Sequence, residues 1–87
     1  MASYEIRFKR SVVKDLRKIP NRDVKRILAR IDALAENPRG EGCAKLSGQE
    51  RYRARQGMYR IVYEILDAQV VVSIVQVGHQ SQIYRTQ

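Results

Sequence analysis

An α+β domain, a small antiparallel sheet with a helical hairpin on one face, is implied by three features of this sequence. Its 87 residues suffice for one hydrophobic core and not for two. Apolar residues recur with helical spacing in the first half and with strand-like spacing in the second. The segments are grouped, not alternating: strand, helix, helix, strand, strand, strand (β-α-α-β-β-β). Helices that precede a meander pack together on one side of it. Residues 1–87 are therefore read as a single domain.

Each element has its own signal. Tyr4-Glu5-Ile6-Arg7-Phe8 alternates apolar and charged residues, a first strand with Tyr4, Ile6 and Phe8 facing inward. From Lys9 the period lengthens, and Val12, Val13, Leu16 and Ile19 form a helical stripe that Pro20 ends. Asn21 reads as the N-cap of a second helix, with Asp23 in its first turn. Val24, Ile27, Leu28, Ile31, Leu34 and Ala35 form its buried face, and Asn37-Pro38 stops it. Arg39 to Gln49, with three glycines, is a loop that Leu46 pins to the core. Strands are expected at Arg51 to Gln56, Tyr59 to Leu66 and Gln69 to Val77, with breaks at Gly57 and near Asp67-Ala68-Gln69. The last two are apolar on both sides, as central strands are. Ser81 to Gln87 is a short tail, read as a helical turn.

Charge narrows the function. Seventeen Lys and Arg against nine Asp and Glu leave a net charge of +8. Such a field attracts polyanions, with nucleic acid first and an acidic protein second. Cys43 is the one cysteine, which excludes an internal disulfide and argues against a cysteine metal site. The N-terminal MASYEIRFKR has no apolar signal region, and Val70 to Val77 falls far short of the ~20 residues that span a bilayer. The expectation is a soluble, cytoplasmic protein with no membrane partner.

The cations are not spread evenly. Arg51, Arg53 and Arg55 alternate along one strand and so share a face, opposite Tyr52 and Ala54. Lys45 precedes them and Arg60 follows. A row of this kind matches phosphates along a single strand; the alternative is a charged edge that resists aggregation. Arg60 lies inside an apolar strand, where a fixed guanidinium can clamp a phosphate or stabilise charge building on it. Its alternative is a structural ion pair with Glu64. His79, the one histidine, follows Gly78 at the end of a central strand, and a hydrogen-bonded surface role is its alternative. Tyr84 is suited to stack on a base, or to move a proton if arginines lower its pKa from ~10; otherwise it packs the tail. There is no second histidine, carboxylate pair or phosphate loop, so no metal or cofactor is expected. Cleavage of RNA would use the substrate's own 2′-hydroxyl as nucleophile.

These residues resemble the RelE/ParE superfamily of bacterial and archaeal toxins from toxin–antitoxin pairs. YEIRFKRSVVKDLRKIP and the helix ending in NPRG are similar to the family's opening. KLSG, RYRAR and GMYRIVYEI are more specific, and VVVSIVQVGHQSQIYR is similar to its last strand and tyrosine-bearing tail. For the RelE-like branch, the resemblance implies a metal-independent, ribosome-dependent endoribonuclease that cuts messenger RNA. For the ParE-like branch it implies a toxin that inhibits DNA gyrase without cutting RNA. By position, Arg60 would stabilise the transition state, Tyr84 would stack on the base and act as general base, and His79 would transfer a proton. Arg53 and Arg55 would surround the reacting phosphate, while Lys45 and Arg51 are read only as further phosphate contacts of the basic row. Gln80-Ser81-Gln82 stands where many members carry an arginine, which leaves the division of acid and base roles between His79 and Tyr84 open. An acidic cognate antitoxin is the implied partner, and contact with DNA would come only through it.

Overall fold

The computed structural model describes residues 3–46, 48 and 50–79. Tyr84 and the tail from Ser81, read above as a helical turn, lie outside the described residues. Strand β1 (Glu5–Phe8) leads into helices α1 (Arg10–Arg17) and α2 (Asn21–Glu36). Strands β2 (Cys43–Lys45), β3 (Tyr52–Gln56), β4 (Tyr59–Leu66) and β5 (Val71–His79) follow, and a short 3-10 turn at Asp67–Gln69 joins the last two. The sheet order is β1-β5-β4-β3-β2.

The α+β architecture is as the periodicity predicts, with three differences. First, β1 lies parallel to β5, so the sheet is mixed rather than wholly antiparallel. A parallel neighbour needs a long crossover, and everything from α1 to β4 supplies one. Second, β2 falls inside the stretch read as a loop. Three residues carry no period, and its strand character comes from pairing with β3. Third, Pro20, at φ −55°, is itself the N-cap of α2, so Asn21 is already helical. Neither helix has a side-chain cap hydrogen bond, which leaves packing to hold the hairpin.

The core lies between the hairpin and one face of the sheet. Val12, Ile19, Ile27, Ile31 and Leu34 from the helices meet Ala54, Ile61, Tyr63, Val72, Ile74 and Val77 from the strands. Strand alternation then sends Arg60, Val62 and Glu64 to the second face. Val62 and Val75 form a small cluster there with Leu46, and no helix residue belongs to it. The helical stripes are wider than the sheet can cover. Val13 and Leu28, expected inside, are exposed, as is Phe8, and they line an apolar groove on the outer side of the hairpin.

Two features set the turn before β5. Arg39 grips the Asp67 carboxylate with both terminal nitrogens, at 3.1 and 2.7 Å, and the Tyr4 hydroxyl donates to it at 2.9 Å. The hydrogen bonds from Arg39 and then Tyr4 hold the Asp67 carboxyl below the usual carboxylate range. Val70 follows with φ +54°, a left-handed conformation that a β-branched residue rarely adopts. Its carbonyl accepts from Glu5 N–H at 2.9 Å, so the turn is held where β1 joins. Val70→Asn should raise stability by about 1 kcal/mol, since asparagine tolerates this backbone and the exposed valine side chain contributes little packing. In a thermal melt that corresponds to roughly 4–8 °C; a lower midpoint would mean that the side chain, not the backbone, governs the turn.

Candidate nucleic-acid interface

The second face of the sheet owes its cations to register. On β3, Tyr52 and Ala54 point into the core, so Arg51, Arg53 and Arg55 point away from it. Pairing sets Arg53 beside Val62 and Arg55 beside Arg60. Across β5, Arg60 is opposite Gly78, which brings only backbone to that position. Arg60 is 3% exposed, the one buried charged residue among those described. A guanidinium on a central strand in this setting has little freedom, so its orientation is fixed before any ligand arrives.

The cations named from sequence divide into two groups. Arg51 donates through Nε to Glu64 at 3.2 Å, so Arg51 has a carboxylate partner on its own face of the sheet. Lys45 is set opposite Tyr52, which places it on the helix side of the sheet edge. Its Nζ is 3.6 Å from the Glu50 carboxylate. Lys45 is thus set on the opposite face from Arg53 and Arg55, since a step of one residue in a strand changes the face. Arg53 and Arg55 have no carboxylate within ion-pair distance among the described residues.

His79 is at the same end of the sheet as Arg60 but on the other face. It pairs with Tyr59, whose ring packs toward the helices, and the two rings meet edge to face at 6.1 Å. Two cavities flank this pair. One, of about 380 Å³, is lined by Asp23, Arg26, Met58, Tyr59 and His79 among others. The second, of about 250 Å³, adds Asp15 and Lys18. The Asp15 carboxylate accepts the Val77 N–H at 3.2 Å and ties α1 to this end of β5. Arg53, Arg55 and Arg60 are thus gathered on one face, and the histidine is kept at the rim on the other.

Sequence reasoning missed one cation near this face. Arg30 on α2 is half-buried and donates through Nη2 to the Glu41 carbonyl at 3.3 Å and to Cys43 Sγ at 3.5 Å. With Glu41, Gly42, Arg53 and Arg55 it lines a shallow cavity of about 600 Å³ at the sheet edge. The available signal was an arginine beside the apolar stripe of α2, at a position that a surface cation also occupies.

Comparison with known proteins gives a consistent picture. Residues 6–84 match the family described as the ParE toxin of the type II toxin–antitoxin system parDE. The chain is 33% identical to Toxin RelG of Mycobacterium tuberculosis, with 94% of this chain and 97% of the relative covered. Among solved structures it is similar to the RelBE2 toxin–antitoxin complex of Mycobacterium tuberculosis. That match has a TM-score of 0.82 and 28% identity, covering 90% of this chain and 99% of the other. The archaeal RelE–RelB complex of Pyrococcus horikoshii gives 0.80 and 28%, with 92% and 98% covered. The intact RelBE complex of E. coli gives 0.78 and 29%, with 88% and 96% covered.

Proposed function

This chain belongs to the ParE toxin family of type II toxin–antitoxin systems, and from that premise we propose that it is a messenger RNA endoribonuclease of the RelE kind. The observation that carries the reading is the buried Arg60 beside Arg55 on the sheet face away from the helices. A fixed guanidinium with a second cation next to it suits a phosphate that gains charge as the 2′-hydroxyl attacks. The reaction closes a 2′,3′-cyclic phosphate and releases a 5′-hydroxyl. It needs a base for the 2′-proton, a role assigned here to Tyr84 from its place in the family pattern. It also needs an acid for the leaving oxygen. The cognate antitoxin is an acidic chain, suited to the net charge of +8, and the similarity to toxins solved in complex with antitoxins supports such a partner.

His79 serves as that acid only if the leaving oxygen reaches the rim of the sheet, since its ring is set against Tyr59 on the helix face. His79→Asn is accordingly expected to reduce cleavage less than loss of Arg60 does. Single-turnover rates of the two variants beside the wild type would measure this. Equal losses for the two would instead place the leaving group at the rim.

The proposal is tested by adding the purified chain to a translation extract and mapping new 5′ ends on the message. Intact messages beside arrested growth would overturn it. The second reading is gyrase inhibition, favoured by the ParE description of the matching family. A supercoiling assay separates the two: inhibition without RNA cleavage supports gyrase as the target.

A further inference from the structure

The cavity at the sheet edge combines three observations. Arg30, Arg53 and Arg55 reach it from two different elements, α2 and β3. Among the described residues, none of the three is within ion-pair distance of a carboxylate. Elsewhere Arg7, Arg39, Arg51 and Lys45 each have one. Arg30 is held by neutral acceptors, a carbonyl and a thiol, so its position is fixed while its charge stays uncompensated. Like charges gathered at one cavity repel, and an anion between them removes that cost.

Local backbone makes room for it. Strand β2 covers β3 only from Tyr52 to Ala54, so Arg55 lies past the end of the edge strand. Gly42, just before β2, has φ +82°, and a Cβ there would be 3.3 Å from Arg30 Nη2. A side chain at this position would be strained and would crowd the guanidinium. The one acid lining the cavity is Glu41, whose backbone carbonyl, not its carboxylate, bonds Arg30.

We propose that Arg30, Arg53 and Arg55 form a second phosphate subsite, which takes an RNA phosphodiester adjacent to the one at Arg60. Arg55 is the link, because it is paired with Arg60 on one side and lines the edge cavity on the other. The RNA backbone then crosses the strands from β4 over β3 and turns around the edge toward α2, rather than running along β3. The inference rests on the ribonuclease reading and adds a path and a residue, Arg30, to it.

The test uses the full chain and a short single-stranded oligoribonucleotide with 2′-O-methyl riboses, which binds but cannot be cut. Binding is followed by fluorescence anisotropy over a range of salt. Arg30→Gln should weaken binding about tenfold and reduce the slope of log K against log salt by about 0.7, the value for one phosphate on a single strand. Arg30→Lys should keep most of the slope, because the charge remains. Glu41→Gln, on the exposed loop, should tighten binding about two- to threefold by removing the nearby negative charge. It provides a readout of opposite sign should Arg30→Gln fail to fold. If the wild type cuts messages and binds the probe, but both Arg30→Gln and Glu41→Gln match it, the subsite is refuted and the ribonuclease reading stands. If Arg30→Gln weakens binding of an acidic peptide and leaves the RNA probe unaffected, the cavity belongs to a protein partner and the proposal fails. If the wild type neither binds nor cuts, the underlying reading fails and the subsite with it.

Discussion

Arg60→Ala is expected to lower message cleavage by roughly 10²–10³-fold, the loss associated with one preorganised donor to developing charge. Burial at 3% exposure and placement on a central strand fix the guanidinium, so little reorganisation is needed when the phosphate gains charge. Arg55, its cross-strand neighbour, is exposed and more mobile in principle, and its loss should cost less. Arg60→Lys keeps the charge but gives up the two-pronged geometry, and an intermediate rate is expected. The measurement is a single-turnover rate in a translation extract, with a thermal melt of each variant alongside. A change below threefold in a folded Arg60→Ala protein would remove this residue from the site.

Tyr63→Ala is expected to destabilise the domain by about 3–5 kcal/mol, the range for deleting a buried aromatic ring. Tyr63 is fully buried on β4, stacked on Tyr52 at 5.9 Å between ring centroids. Its hydroxyl donates to the Pro38 carbonyl at 2.6 Å, joining the centre of the sheet to the end of α2. Burial first, and then a hydrogen bond with Cys43, pushes the phenol well above its ordinary pKa, so it remains a donor. A domain of this size has roughly 4–13 kcal/mol of total stability, so the loss approaches the whole. Tyr63→Phe separates the two contributions: it keeps the ring and leaves the Pro38 carbonyl without this donor, at about 1–3 kcal/mol. Urea denaturation of the three proteins measures both. Near-equal stabilities for Tyr63→Ala and wild type would show that the sheet closes over the gap at no cost.

The fold was largely legible because its elements are long enough to repeat. Strand β4 is a largely apolar run of eight residues and α2 holds its apolar face over sixteen. The three-residue β2 shows no such repeat, and the parallel pairing of β1 is a contact between distant segments. Val13 and Leu28 read as core because a stripe records how apolar a helix face is, not how far a neighbouring sheet extends.

The candidate site was legible in kind and less so in arrangement. Arg51, Arg53 and Arg55 could be placed on one face from alternation, whereas the pairing that sets Arg60 beside Arg55 is a matter of strand register. Lys45 and His79 could not, since each depends on its register against another strand. Arg30 could not be connected to β3 at all, because nothing along the chain relates a helix position to a strand that begins about two dozen residues later.

Residue order alone was enough for the helices, the four longer strands, the strong positive charge and the arginine row, because these follow from backbone periods of 3.6 and 2 and from counting charges. Folding in three dimensions was needed to choose which face each cation takes, which of them a carboxylate neutralises, and that Arg30 joins Arg53 and Arg55 at one cavity. The physical reason is that local geometry acts between near neighbours in the chain, whereas pairing register and cavities arise from segments that meet only when the sheet closes.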